Sequence, residues 1–251
     1  MINLIISIVL AAASWALTTF IFSSIWAGLL PFLIVLPAAL IFLNKRTSKK
    51  FEAIATASQA SMAQLPQTKS ERVRESILEN TIDILRDGYK YKHWQFFLAS
   101  QIDAQIGQIY YLQKKFKQAE PYLANAFVQV WNAVAMHACI MFREKNYERM
   151  KKDFERALKY NRKIPILWNL YAYCTLNATG RDDALAILNR AMNYIGTDKS
   201  TMDNIDFLKN NGKMRMRVWN EQWYQFHLEA PPMQVVSYDK RSAFRRKGKR
   251  M

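Results

Sequence analysis

Charge is what the first part of this sequence lacks. Residues 1–44 contain no Asp, Glu, Lys, Arg or His, whereas the remainder is charged throughout and gives the chain a net charge of +16. Since a bilayer core about 30 Å thick takes roughly 20 helical residues to cross, this uncharged run is too long for one span and fits two. We predict a transmembrane helical hairpin over residues 1–44, with helices at about 2–21 and 25–43 and a turn near Ser23 and Ser24.

Two other interpretations of an apolar N-terminus exist. A cleaved signal peptide would require a basic region before a short apolar stretch, and the sequence has neither. A hairpin buried in the core of a soluble protein is the second alternative. Neither accounts for the length of the uncharged run as directly as two membrane spans do.

Cysteine is scarce as well. Cys139 and Cys174 are the only two, which is too few to staple a secreted fold and gives no paired spacing for zinc, so a reducing compartment is the simpler interpretation. Of the three histidines, we expect His137 to be a hydrogen-bonded interior residue. The sequence holds no Gly-rich phosphate loop, HExxH pair or nucleophile elbow. We therefore predict a protein that is not an enzyme, with no catalytic residues, no metal and no cofactor.

Basic residues follow the second predicted span immediately. Lys45, Arg46, Lys49 and Lys50 lie just beyond residue 44, and basic flanks of membrane spans stay on the cytoplasmic side. We predict a multi-pass protein with both termini in the cytoplasm and these four cations in contact with an anionic surface. By analogy with bacterial assembly and quality-control proteins, the membrane is expected to be the plasma (inner) membrane.

A connecting segment joins the hairpin to the rest. Residues 45–67 are rich in Ala, Ser and Gln with a loose helical pattern, and we predict a helical stalk or linker. Thr68, followed three positions later by Glu71, has the spacing of a capping box. We therefore expect a helical domain to begin there and to cover residues 68–229.

Small and large apolar residues recur in register in the remainder. The aligned sets are Gly107, Ala138 and Ala172; Ala119, Met150 and Ala184; Ala126, Ala157 and Ala191; Leu123, Phe154 and Leu188; and Phe127, Leu158 and Met192. Successive offsets are 31 and 34 residues. Such a period predicts one helix pair per repeat, with small residues where two helices cross closely.

The sequence at this point resembles the tetratricopeptide repeat family, whose repeats of about 34 residues place small and large residues in this order. The matching residues are Trp168, Ala172, Ala184, Leu188 and Ala191 in the third repeat; Ile106, Gly107, Tyr110, Phe116, Ala119, Leu123 and Ala126 in the first; and Val134, Ala138, Tyr147, Phe154 and Ala157 in the second. The resemblance implies repeats at about 100–130, 131–164 and 165–197. The predicted fold class is all-α: an N-terminal transmembrane helical hairpin followed by a short TPR-like α-solenoid.

The match also has departures. Met150 stands in place of Ala, Thr175 in place of an aromatic residue, and Asp103 where an aromatic residue or Leu is usual, and the first repeat is shorter than the family pattern. The alternative is an irregular helical bundle whose Ala spacing is accidental.

The resemblance implies a partner-binding groove lined by the first helix of each pair, where a protein or peptide binds. By register, the groove residues are Gln101, Gln108, Tyr111, Asn132, Phe142, Asn169 and Tyr173. These side chains are aromatic and amide, so we predict an uncharged or hydrophobic peptide held by aromatic anchors. The alternative is that the protein's own stalk or C-terminal tail fills the groove.

A last helix pair is predicted over residues 198–210 and 213–228. Trp219, Trp223 and Phe226 are spaced to share one helical face, and we expect them to close the end of the solenoid. Trp94, Phe97 and Leu98 are expected to cover its other end.

The C-terminal residues 230–251 form a basic tail, which we predict to be disordered. Its cations are expected to contact anionic lipid or, as the alternative, RNA; they are Lys240, Arg241, Arg245, Arg246, Lys247, Lys249 and Arg250.

The favoured function is a membrane-anchored TPR adaptor or scaffold that recruits a protein partner at the cytoplasmic face. The alternatives are an RNA- or ribosome-docking factor and a subunit of an envelope complex that binds through its hairpin.

Overall fold

The computed structural model describes residues 2–65, 70–94 and 96–231. Regular structure in these residues is helical, and no strand occurs among them, which confirms the all-α prediction for this part of the chain. The helices are α1 (Ile2–Phe22), α2 (Ile25–Met62), α3 (Glu71–Asp87), α4 (Leu98–Leu112), α5 (Phe116–Ala124), α6 (Trp131–Arg143), α7 (Tyr147–Tyr160), α8 (Pro165–Ala178), α9 (Arg181–Ile195), α10 (Lys199–Lys209) and α11 (Glu221–Tyr224), with 3-10 helices at Gly88–Tyr91 and Met216–Trp219.

Helices α1 and α2 form the predicted hairpin. The chain reverses at Ser23 and Ser24, and Ser23 adopts a left-handed backbone with φ of 48°. Both helices are long and apolar enough to cross a bilayer. Their large side chains point outward, and Phe20 and Trp26 are 86% and 81% exposed. Among the residues that the structure describes, nothing covers this contiguous apolar surface, and such surfaces mark sites of interaction with another molecule or a membrane.

The two hairpin helices meet along small and polar residues. Asn3, Ser7 and Ala11, each four positions apart, are the buried residues of α1. On α2, Gly28 comes so close that an added Cβ would lie 2.4 Å from Cδ1 of Trp15. Small residues at this spacing let two helices approach closely, which is how transmembrane helices associate.

Helix α2 does not end where the uncharged run ends. It continues to Met62 as one helix of 38 residues, so the predicted stalk is the outward continuation of the second apolar helix. The Thr81 hydroxyl of α3 donates a hydrogen bond to Ser61 Oγ at 2.8 Å, and Phe51 packs on a cluster of buried side chains from α3 and α4. The stalk is therefore fixed against the helical domain.

Consecutive helices from α4 onward pack in pairs, α4 with α5, α6 with α7 and α8 with α9. Each pair is closed by a short turn containing a residue with positive φ, namely Lys114 (61°), Lys145 (60°) and Gly180 (125°). A left-handed residue just past a helix end stops the helix and reverses the chain. The turns therefore set each second helix alongside the first.

The residues that recur in register lie inside these pairs. Those that are buried are Gly107, Ala119, Leu123, Ala126, Ala138, Met150, Phe154, Ala157, Leu158, Ala172, Ala184, Leu188 and Ala191. A Cβ added to Gly107 would lie 2.7 Å from Cδ2 of Leu123 on α5, so this crossing tolerates no larger residue. Helix α5 ends at Ala124, and the short first repeat is accordingly the pair with the shortest second helix.

The chain beyond α9 differs from the sequence prediction. Helix α10 matches the predicted helix over residues 198–210, but the predicted continuous helix over residues 213–228 is wrong. Its place is taken by the 3-10 helix Met216–Trp219 and by α11, separated by Asn220 with φ of 46°. A residue with positive φ cannot continue a right-handed helix.

Several predictions concern residues outside the described part of the chain. Helix α3 begins at Glu71 with Ser70 as its N-cap, whereas Thr68 of the predicted capping box is not among the described residues. The predicted tail lies outside the described range from residue 232 onward, together with its cations Lys240, Arg241, Arg245, Arg246, Lys247, Lys249 and Arg250.

Candidate functional site on the inner face of the helix pairs

The predicted groove belongs to α4, α6 and α8, the first helices of the three pairs, and we call their shared surface the inner face. Helix α4 packs against α6, and α6 packs against α8. The predicted residues differ in exposure: Tyr111 and Asn169 are fully buried, whereas Gln101, Gln108, Asn132, Phe142 and Tyr173 are half-buried. The side chains expected to meet a partner therefore already have neighbours.

For Tyr111 and Tyr173, the neighbours come from the protein's own C-terminal segment, residues 213–229. The Tyr111 hydroxyl donates a hydrogen bond to the carbonyl of Phe226 at 2.7 Å, and the Tyr111 ring stacks on His227 with centroids 5.7 Å apart. The Trp131 and Phe226 ring centroids lie 6.4 Å apart. In this structure the C-terminal segment occupies the inner face. The occupants that the sequence left as alternatives were the stalk and the tail at residues 230–251, and the tail lies outside the described residues from 232 onward.

At α8 the segment is held through Tyr173. The rings of Tyr173 and Trp223 meet edge to face with centroids 4.9 Å apart, and the Trp223 indole donates to Glu229 Oε2 at 3.3 Å. Burial, followed by the nearby Glu229 carboxylate, raises the pKa of Tyr173 to about 12. The phenol is therefore protonated at neutral pH and can donate a hydrogen bond.

Arg143, at the end of α6, also binds the C-terminal segment. Its guanidinium donates to the carbonyl of His227 and lies over the Phe116 ring, 4.6 Å from the centroid. Burial, followed by the positive charge of Lys114, lowers the pKa of the His227 imidazole. A neutral imidazole suits a site that already contains two cations.

Asn169 has a structural role in this arrangement. Its Nδ2 donates to Thr201 Oγ1 at 2.7 Å, and its Oδ1 accepts from Asn204 Nδ2 at 3.0 Å. Asn204 Oδ1 in turn accepts from the backbone N–H of Arg215 at 2.6 Å. The network joins α8 to α10 and to the start of the C-terminal segment. Asn169 therefore positions this segment through Asn204.

The other amide and aromatic residues of the predicted groove pair locally. Asn132 Nδ2 donates to Gln108 Oε1 at 3.2 Å, joining α6 to α4, and the Phe142 ring lies beside Tyr147 with centroids 6.3 Å apart. With Gln101 and Tyr173 they make up the part of the predicted groove that retains solvent exposure.

The three C-terminal aromatic residues lie in a different place from the one expected. Trp223 and Phe226 are fully buried against the inner face instead of closing the end of the solenoid. At the opposite end Leu98 is buried, the Phe97 ring stacks on Phe127 with centroids 5.1 Å apart, and Trp94 is 38% exposed. The expectation for the C-terminal end is therefore wrong for Trp223 and Phe226.

The interior histidine was predicted correctly. His137 Nδ1 lies 2.7 Å from Asp153 Oδ2, and both side chains are buried. Arg149 and Arg156 also reach the Asp153 carboxylate, at 3.4 and 3.5 Å. The pair links α6 to α7 inside the second helix pair, and the two guanidinium groups compensate the buried carboxylate.

The four predicted juxtamembrane cations Lys45, Arg46, Lys49 and Lys50 are exposed on α2. Lys50 Nζ lies 5.5 Å from the centroid of the Tyr91 ring. The cations of the basic tail fall outside the described residues.

Sequence reasoning missed Arg143 and His227 as residues of the inner face, and Asn3 as the polar residue of the hairpin. Arg143 follows an apolar helix as an ordinary last-turn cation would. The sequence signal for Asn3 was available, since it is an amide near the start of an otherwise apolar helix.

The described residues thus define a helical protein with two helices that could cross a membrane and an inner face of aromatic and amide side chains. No protein-family model, curated protein or solved structure matches this chain significantly. What the chain does is therefore inferred from its own residues and their geometry.

Proposed function

We propose that the protein is a membrane-anchored adaptor whose TPR-like helix pairs recruit a protein partner at the cytoplasmic face of a bacterial plasma membrane, without catalysing a reaction. The observation that carries this proposal is the peptide already seated on the inner face, residues 213–229. Tyr111 and Arg143 bind its backbone carbonyls, and Tyr173 packs on its Trp223. A face that binds one segment in this way has the chemistry to bind another.

Anchoring is supported by the exposed apolar surface of the hairpin and by its stiff connection to the helix pairs. Because α2 runs unbroken to Met62 and packs on α3, the pairs cannot drift far from the membrane. The cations at Lys45, Arg46, Lys49 and Lys50 support a cytoplasmic location for this connection. The adaptor then presents its inner face at a set distance from the bilayer.

The TPR-like character is supported by the burial of the register residues at equivalent places in the three pairs. Gly107, Ala138 and Ala172 are all buried in first helices, and Ala119 and Ala184 in second helices. Gly107 lies at a close approach of two helices, where an added Cβ would meet Leu123. Stacked pairs of this kind make an extended binding surface.

The partner must compete with the protein's own segment. Trp223 and Phe226 occupy apolar seats next to Tyr173 and Trp131, so the competing peptide carries aromatic or other large apolar side chains. Its backbone carbonyls replace those that accept from Tyr111 and Arg143. Recruitment is thus coupled to release of residues 213–229.

The test uses the full-length protein in its native membrane. p-Benzoylphenylalanine is placed at Phe142, on the inner face, and in a matched variant at Tyr160, which is 55% exposed at the end of α7. Irradiation and mass spectrometry should give a defined protein adduct from position 142 and none from position 160. Combining Trp223→Leu and Phe226→Leu, which keep apolar side chains at both positions, should loosen the segment and raise the yield at position 142, with circular dichroism checking that the helical content is retained. Equal adducts at both positions, or a yield unchanged by the double substitution, would contradict recruitment through the inner face.

A further inference from the structure

We propose that the base of the hairpin holds a binding site for the headgroup of a glycerol-bearing anionic phospholipid. A cavity of about 190 Å³ lies between the hairpin and the segment that follows α3. The lining residues used below are Asn3, Arg46, Thr47, Lys50, Tyr91 and Trp94. This inference rests on the proposal that the hairpin spans a membrane.

The position of the cavity matches the level of lipid headgroups. Asn3 stands near the start of α1, and Arg46 lies two positions beyond Asn44, where the uncharged run ends. The backbone N–H of Ile2 donates to the carbonyl of His93 at 2.8 Å, which fixes the segment carrying Tyr91 and Trp94 beside the hairpin. Trp and Tyr side chains are enriched at this boundary of membrane proteins.

The charge of the site suits a phosphate. Arg46 and Lys50 both line the cavity, one helical turn apart on α2, and the lining residues that the structure describes include no carboxylate. Basic residues next to a membrane attract anionic headgroups. Lys50 also lies near the Tyr91 ring, 5.5 Å from its centroid, which holds one cation over the cavity.

A buried acceptor adds a second requirement. Asn3 is 2% exposed, and its Nδ2 donates to Asn44 Oδ1 at 3.0 Å and to Thr47 Oγ1 at 3.1 Å. The Thr47 hydroxyl donates to the Leu43 carbonyl at 3.1 Å, so it can only accept from Asn3, and this fixes the orientation of the amide.

The opposite atom of that amide, Asn3 Oδ1, is buried and accepts no hydrogen bond from the residues that the structure describes. Leaving a buried acceptor unpaired is unfavourable, so a ligand that supplies a donor is favoured here. The glycerol hydroxyls of phosphatidylglycerol supply one, and the quaternary ammonium of phosphatidylcholine does not. The phosphate of the lipid then lies between Arg46 and Lys50, and the acyl chains of the lipid lie along the exposed hairpin.

The experiment measures lipid retention by native mass spectrometry of the full-length protein in detergent. The added probes are phosphatidylglycerol, phosphatidylcholine and phosphatidylmethanol, which is anionic but has no headgroup hydroxyl. The wild type should retain one phosphatidylglycerol per chain, with phosphatidylmethanol about threefold weaker for want of a hydrogen bond. Combining Arg46→Gln with Lys50→Gln should weaken phosphatidylglycerol about tenfold or more.

The matched control removes two charges outside the cavity. Lys45→Gln with Lys49→Gln lowers the net charge equally at exposed positions of the same helix, and should leave retention within about twofold. Equal loss in both double variants would show a diffuse charge effect and overturn the site. Displacement of the lipid by inorganic phosphate would assign the cavity to free phosphate. A chain that needs no detergent to stay in solution overturns the membrane proposal itself, whereas insertion without lipid selectivity overturns only this inference.

Discussion

The hairpin and the helix pairs use apolar residues in opposite ways. In the hairpin the buried residues are small, such as Ala11, and large ones such as Phe20 and Trp26 face outward. In the helix pairs large residues such as Trp168 are buried together with the small ones. The hairpin leaves its large apolar side chains exposed, whereas the helix pairs bury theirs in a hydrophobic core.

Polar groups follow the same division. The helix pairs bury hydrogen-bonded networks, such as Asn169 with Thr201 and Asn204. In the hairpin the amide of Asn3 lies at the base, beside Asn44 and Thr47. Polar side chains are costly in hydrocarbon and cheaper at its boundary. The hairpin thus buries this amide at its base, where Asn44 and Thr47 accept its hydrogen bonds.

The largest expected effect is an all-or-none difference in labelling across the membrane. Ser23→Cys places a thiol in the hairpin turn, and Ser48→Cys places one on the exposed surface of α2 beyond the uncharged run. If the hairpin spans the bilayer, an impermeant maleimide added to intact cells should label position 23 and should label position 48 only after permeabilisation.

The native thiols do not obscure this experiment, because Cys139 and Cys174 are both fully buried. Burial also raises the pKa of the Cys174 thiol, which slows its reaction further. The unsubstituted protein therefore serves as the unlabelled control. Simultaneous labelling of both positions in intact cells would remove the membrane half of the comparison.

The hairpin could be predicted closely because its signal is simple. A run of 44 residues without charge is compatible with few folds. Dividing this run into two spans of equal length places the turn at Ser23 and Ser24. The helix pairs were also predictable in outline, since small residues recur wherever two helices cross. The buried set that includes Gly107, Ala138 and Ala172 shows this directly.

The inner face could not be predicted to the same degree. The spacing of Trp219, Trp223 and Phe226 is typical of a helix. The same spacing also suits short turns that pack Trp223 beside Tyr173 of α8 and Phe226 beside Trp131 of α6. Periodicity reports which residues need burial and not what buries them. Tyr111 illustrates the limit: its position in the register was correct, yet its hydroxyl binds the carbonyl of the protein's own Phe226.

A pair of tryptophan substitutions sharpens the comparison of the two regions. Trp223→Ala removes a fully buried ring and should destabilise the helix pairs by about 3–5 kcal/mol. Trp26→Ala removes a ring that is 81% exposed and should change their unfolding by less than about 0.5 kcal/mol. Denaturant unfolding of both variants in detergent measures the difference. Similar losses would mean that Trp26 contributes to the same core.

The smallest expected effect is a pH dependence at His227. Burial and neighbouring positive charge lower its pKa in the folded protein, so between the folded and unfolded pKa values the unfolded chain binds more protons. The contribution of His227 is therefore present above its ordinary pKa and is lost as pH falls through the folded value. His227→Asn is the matched variant, because Asn tolerates the positive φ of 53° at this position. Between pH of about 7.5 and 5.5, which brackets the ordinary histidine pKa, the unfolding midpoint of the wild type should fall more than that of the variant. If the difference in unfolding midpoint between the wild type and the variant stays constant over this range, protonation of His227 does not change the stability of the fold.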